Sequence, residues 1–150
     1  MNSRNHIMMG SVGAWLYTDV AGIAQQPGTA GYASLLLWPR ATTHERLPFA
    51  AGSFESVRGT VAVEWRAAAG SFALAATVPA NTAAEVRLSF PAGASPAALV
   101  AAEGNTTFYT GGAFVPGAVA GVTGAALGAN GTALCVTTGS GAYSFRLSGW

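Results

Sequence analysis

Few residues of this chain could carry chemistry. Its 150 residues include two histidines, one cysteine and six acids. His6 follows Asn5 at the mouth of an apolar helical pattern, where Ser3 and Asn5 are short polar residues suited to satisfying free N–H groups at a helix start. His44 lies in the polar run Thr42-Thr43-His44-Glu45-Arg46 and reads as exposed. Two histidines this far apart, without a supporting ligand cluster, predict no metal site, and no cofactor motif is legible. Cys135 has no partner for an internal disulfide. It falls in the apolar run Ala133-Leu134-Cys135-Val136, with no histidine or cation beside it, so it is expected to pack as a small hydrophobe and not to act as a nucleophile.

The acids read as structural. Glu64 and Arg66 are two residues apart on one outward strand face, as a solvated charged pair is, and Glu85 and Arg87 stand in the same relation. Glu55 and Arg58 flank a turn, and Asp19 lies on the helix away from its apolar stripe. A catalytic acid needs a cleft and a shifted pKa, and no local pattern supplies either, so no catalytic residue is assigned.

The elements that position these residues fall into two parts. Met8, Val12, Trp15, Leu16 and Val20 recur at helical spacing, predicting a helix from residue 6 to about 24 that Gln25-Gln26-Pro27-Gly28 terminates. Gly10 and Gly13 within it suggest a close approach by another backbone or a ligand. Beyond it the period is two. Val61, Val63 and Trp65 alternate with Ala62, Glu64 and Arg66, and Ala68-Ala69-Gly70 turns the chain into Phe72, Leu74, Ala76 and Val78. Pro79-Ala80-Asn81-Thr82 makes the next turn, and Val86-Leu88-Phe90 and Tyr143-Phe145-Leu147 repeat the alternation. Short strands with regular turn signals predict a mainly β chain, an antiparallel β-sandwich preceded by one N-terminal helix. The Ala- and Gly-rich stretch 91–138 is the least readable, with strand-like pieces at 106–110 and 132–137 among long loops.

Composition excludes several classes. Apolar residues make up 51% of the chain, enough for a real core. All the basic residues are arginines scattered singly and the net charge is +1, so nucleic acid is not an expected partner. No membrane partner is expected either. The uncharged run 112–128 contains Pro116 and several glycines and falls short of the roughly 20 strongly apolar residues a span needs. The first residues lack the continuous apolar core and cleavage site of a signal peptide, which leaves localisation open. The sequons at Asn105 and Asn130 carry little weight in so threonine-rich a chain.

The run from Asn2 through Asn5-His6 and Gly10-Ser11-Val12-Gly13 to Trp15-Leu16-Tyr17 resembles the segment that closes the catalytic barrel of bacterial-type α-L-rhamnosidases of glycoside hydrolase family 78. The residues beyond that run are similar to the family's C-terminal β-domain: Gly31-Tyr32, Leu35-Leu36-Leu37-Trp38-Pro39-Arg40, the run from Gly52 to Gly59, Val63-Glu64-Trp65-Arg66 and the closing Gly139–Phe145 stretch. Ala14 stands where the family usually carries an acid, and Ile7 where an aromatic often follows the Asn-His pair.

The resemblance implies that residues 1–26 are the terminal helix of an incomplete α/α barrel and that 27–150 form the C-terminal β-sandwich. It implies inverting hydrolysis of terminal α-L-rhamnosides by two carboxylates that lie on the barrel, outside this chain. Asn5 and His6 match the family's sugar-contacting pair and are the expected substrate-binding residues. A rhamnoside would be bound only with the missing barrel domain in place. A free-standing carbohydrate-binding or structural sandwich is the alternative, with Trp38, Trp65 or Trp150 offering a flat surface to a sugar ring.

Overall fold

A computed structural model of the chain describes residues 10–40 and 46–150. A helical segment begins as α-helix α1 (Ser11–Trp15) and continues as a π-helical turn over Leu16–Ala21. It ends earlier than its apolar spacing predicts, at Ala21 instead of about residue 24. Gly22, in the left-handed conformation at φ 77°, ends it, and Ile23–Gln25 is already strand β1. A Cβ on Gly22 would run into the backbone of Trp38 and Pro39, so only glycine lets the chain turn this close to the next strand. An added Cβ on Gly10 or Gly13 would meet nothing within 4 Å among the described residues. Met8, Asn5 and Ser3 lie outside the described residues.

The remaining strands are β2 (Ser34–Leu37), β3 (Phe49–Ser56), β4 (Gly59–Ala68), β5 (Ser71–Val78), β6 (Ala83–Ser89) and β7 (Val100–Glu103). They continue with β8 (Thr106–Thr110), β9 (Ala113–Phe114), β10 (Val122–Leu127), β11 (Ala133–Thr138) and β12 (Gly141–Ser148). They form two facing sheets, one of order β1-β2-β6-β11-β10 and one of order β3-β4-β5-β12-β7-β8-β9. The architecture is the expected β-sandwich, with one departure from antiparallel pairing: β2 runs parallel to β6, Leu35 beside Ala84 and Leu37 beside Val86. The chain leaves β2 for the other sheet, makes β3 to β5 there and re-enters beside β2 in the same direction. In the second sheet β12 is central, bonded to β5 on one side and to β7 on the other.

The alternation read from the sequence is the alternation of burial. Val61, Val63, Trp65, Phe72, Leu74 and Val78 point inward from β4 and β5, against Val86, Leu88, Leu134 and Val136 from β6 and β11. Each such side chain contributes about 1.5–3 kcal/mol on burial, which is what holds the two sheets face to face. The turn at Pro79–Thr82 carries the chain from one sheet to the other. Asn81 there has φ 54°, and Thr82 and Ser140 exchange hydrogen bonds across the crossing, the Ser140 hydroxyl donating to Thr82 O at 3.3 Å. Arg58, in the β3–β4 turn, donates to Gly31 O and Asn81 O at 3.0 and 3.1 Å and so ties three loops at one end of the sandwich. The stretch 91–138 is more regular than its composition predicts, holding β7 to β11; alanine and glycine give no period to read, yet backbone pairing proceeds without one.

Candidate functional site

The helical segment and the sandwich meet in a junction where several unlike contacts coincide. The last carbonyls of a helix have no intrahelical donor. Here the sandwich supplies donors: Trp65 Nε1 to Val20 O at 2.7 Å, Arg40 N to Asp19 O at 2.9 Å and Trp38 N to Gly22 O at 2.7 Å. Trp65 is fully buried, so its indole N–H is bonded in the core, where leaving it unpaired would be costly. Ala21 packs onto Gly52 of β3 so closely that a Cβ there would stand 2.7 Å from its own. Tyr17 donates from its hydroxyl to Ser53 O at 3.3 Å.

Above this junction three aromatic rings line an open cavity of about 620 Å³. Tyr17 meets Phe54 edge-on at 6.3 Å between centroids, and Tyr32 lies 4.7 Å from Phe54. Tyr32 is one of two described non-glycine residues in the left-handed region, at φ 56°. Gln25 holds it there, accepting from Tyr32 N at 3.0 Å while its amide donates to Thr29 O. A smaller cavity of about 240 Å³ lies beside Asp19, Trp38 and Arg40. Asp19 accepts from the Thr18 hydroxyl at 2.6 Å and pairs with Arg40 at 3.7 Å. The Trp38 ring carries two guanidinium groups, Arg40 at 4.6 Å and Arg87 at 4.4 Å.

The described carboxylates are spread over the surface and each has its own neighbour. Glu64 pairs with Arg66 at 3.2 Å and Glu85 with Arg87 at 2.6 Å, as their spacing predicts. Glu55 accepts from Thr60 at 2.6 Å, and Glu103 from Ser144 N at 3.2 Å. Among the described residues no group of three or more His, Cys, Asp and Glu side chains could hold a metal ion. No helix among them is long and apolar enough to cross a membrane. Cys135 is half-buried on the outer face of its sheet, opposite Arg87, and not in the core where its apolar run suggests; its neighbours Leu134 and Val136 take the inward positions. Burial pushes its thiol above the ordinary value, Glu85 adds to the rise and Arg87 opposes it.

Asn5, His6, His44 and Glu45 lie outside the described residues. Of the tryptophans considered for sugar stacking, Trp65 has no exposed face, Trp38 is engaged by arginines, and Trp150 is partly buried beside Phe90 at 6.5 Å. Sequence reasoning did not single out the Tyr17–Tyr32–Phe54 cluster. Its members stand far apart in the chain and Tyr32 takes a backbone conformation that no residue type announces.

Residues 22–96, half of the chain, match the family described as the bacterial alpha-L-rhamnosidase C-terminal domain. The chain belongs to that family. This α-L-rhamnosidase C-terminal domain is 44% identical over 86 residues to an alpha-L-rhamnosidase of Streptomyces avermitilis, covering 57% of the chain and 8% of that protein. A second alpha-L-rhamnosidase, from Alteromonas sp., is 33% identical over 85 residues, with 57% and 9% covered. The alpha-L-rhamnosidase structure from Dictyoglumus thermophilum superposes with a TM-score of 0.74 at 28% identity, covering 99% of the chain and 14% of that protein. The Streptomyces avermitilis structure in complex with L-rhamnose gives 0.66 at 33% identity, covering 97% and 12%. The domain thus spans about a tenth of the length of the relatives it matches. The structural likeness extends through α1 and through β7 to β12, beyond the residues that the family match covers.

Proposed function

We propose that this C-terminal domain seats the outer face of its helical segment against a catalytic barrel, and that the assembled enzyme releases terminal, non-reducing α-L-rhamnose with inversion. The observation that carries this reading is the exposed apolar row on the segment: Val12, Trp15, Leu16 and Tyr17 are 58%, 51%, 48% and 44% exposed. Contiguous apolar surface of this kind on a folded chain marks a place where another surface belongs. Inverting hydrolysis needs an acid and a base about 6.5–9.5 Å apart with a water between them and the sugar. The described carboxylates are committed to separate neighbours, which supports a barrel origin for both catalytic groups. Asn5 and His6 are assigned to contact with the sugar, the imidazole both donating to and accepting from vicinal hydroxyls.

Two measurements test the reading. The isolated chain should self-associate in light scattering and release no rhamnose from an aryl α-L-rhamnoside. Joined in place of the matching region of the Streptomyces avermitilis enzyme, it should support turnover, and His6→Ala should then lower kcat/KM by about 2- to 13-fold, the equivalent of a neutral hydrogen bond of roughly 0.5–1.5 kcal/mol. Turnover by the isolated chain that disappears on Glu64→Gln would overturn the barrel origin of the acids. Wild-type efficiency in the His6→Ala chimera would remove His6 from the sugar site.

A further inference from the structure

We propose that the cavity between Tyr17, Tyr32 and Phe54 is a binding site for a neutral pyranose, held by its apolar face against the aromatic rings. The cavity opens where β1 and β3, edge strands of the two sheets, part beneath the helical segment. Its volume of about 620 Å³ falls in the range of roughly 300–1,000 Å³ usual for small-molecule sites. Ile23 adds to the apolar wall, while Thr18 and Gln25 bring polar groups to it. No charged side chain lines it among the described residues, so a phosphate or carboxylate would find no counter-charge there. A pyranose matches both features. The C–H bonds on one face of the sugar carry partial positive charge that an aromatic face attracts, and its hydroxyls can bond to hydroxyl and amide groups at the rim.

Two departures from ordinary backbone geometry bring the tyrosines to this place. Tyr17 stands in the π-helical turn over Leu16–Ala21, a rare conformation that recurs at functional positions. Tyr32 has φ 56°, which a bulky residue adopts at a cost and glycine adopts freely. The loop is pinned on both sides of Tyr32 by bonds that leave its ring out. Gln25 accepts from Tyr32 N at 3.0 Å and donates to Thr29 O, and Arg58 donates to Gly31 O at 3.0 Å. A glycine at position 32 would close the same loop with less strain, so the ring is retained for what it touches. It touches Phe54, 4.7 Å away, and both residues are only partly buried. Strained residues of this kind cluster at ligand clamps, where a ring already fixed loses little freedom when the ligand arrives. The smaller cavity of about 270 Å³ beside Phe90 and Trp150 has no such strain at its aromatic residues.

Saturation-transfer NMR on the full chain with methyl α-L-rhamnopyranoside, a neutral pyranose bearing an additional methyl group, tests the site and requires no turnover. Transfer should reach the ring C–H and methyl protons, with a Kd of about 1 mM, as an open site with few polar anchors allows. Tyr32→Gly suits the loop and removes the ring; Phe54→Leu keeps apolar bulk without an aromatic face. Each should raise Kd by about 10-fold, with circular dichroism showing the sandwich retained. Trp150→Ala should leave Kd unchanged. Absence of transfer to the rhamnoside would overturn the proposal, as would wild-type Kd in both Tyr32→Gly and Phe54→Leu. A loss confined to Trp150→Ala would move the site to the other cavity and overturn it as well. Transfer to para-nitrophenol but not to the rhamnoside would assign the cavity to an aromatic ligand and refute the sugar. Should one of the two cavity variants fail to fold, the other decides the matter.

Discussion

Replacing Gly22 by alanine should cost far more than replacing another left-handed glycine, and the comparison isolates why. Gly22 and Gly93 have similar backbone conformations, φ 77° and 87°. A Cβ on Gly93 meets nothing within 4 Å, whereas one on Gly22 collides with the backbone of Trp38 and Pro39. Both substitutions carry the left-handed penalty of about 1–2 kcal/mol, offset in part by the reduced freedom of the unfolded chain, about 0.4–1 kcal/mol. Only Gly22→Ala adds overpacking, about 1–3 kcal/mol and at the upper end here because backbone cannot rotate out of the way as a side chain would. The expected losses are about 1 kcal/mol at Gly93 and about 4 kcal/mol at Gly22. For a chain of this size these correspond to midpoints lowered by roughly 2–4 °C and 8–16 °C. Thermal unfolding followed by circular dichroism reads the difference, and iodide quenching of Trp15 shows whether the junction opens first. Equal midpoints for the two variants would refute the packing argument at Gly22.

Other outcomes concern the core and its titrating groups. Leu134→Ala removes a fully buried side chain between the sheets and should cost about 2–5 kcal/mol in urea unfolding; a loss under about 1 kcal/mol would contradict the packing. Burial raises the hydroxyl pKa of Tyr109, and burial followed by Glu103 raises that of Tyr143. The folded state therefore favours their neutral forms, and the associated stability is complete below the ordinary tyrosine value near 10 and lost as pH rises above it. Thermal midpoints should be insensitive to these groups up to about pH 9 and fall beyond it, less steeply in Tyr143→Phe. Cys135 should react with an aromatic disulfide at about pH 7.5 more slowly than a free thiol, and Glu85→Gln should speed it; a rate equal to free cysteine would contradict its raised pKa.

The strands that were legible are those whose side chains alternate strongly in size and polarity. Val61-Ala62-Val63-Glu64-Trp65-Arg66 declares both faces of β4, and the paired charges at 64 and 66 and at 85 and 87 lie where a period of two puts them. In β10, Val122-Thr123-Gly124-Ala125-Ala126-Leu127, small residues occupy both faces, so side chains do not mark the strand and its pairing with β11 is set by backbone bonds. The helix was overextended to about residue 24 because the stop was read at Pro27-Gly28 and Ile23 and Ala24 are apolar; the stop comes instead from Gly22, held against Trp38 and Pro39. The junction was not legible, because an indole donating to a carbonyl 45 residues away leaves no trace in spacing.

The central place of β12 also sets an order of assembly. Strands β3 to β5 can pair as hairpins soon after they are made, and β7 to β9 can do the same, but the two groups share no ladder with each other. Ser148 must bond beside Ser71 and beside Val100 before seven strands become one sheet. The sheet therefore cannot close until Gly141–Ser148 are in place, and until then it exposes two open edges at which other strands could add. A chain cut short before Gly141 would lose the strand that joins the halves, and β5 and β7 would remain as unpaired edges.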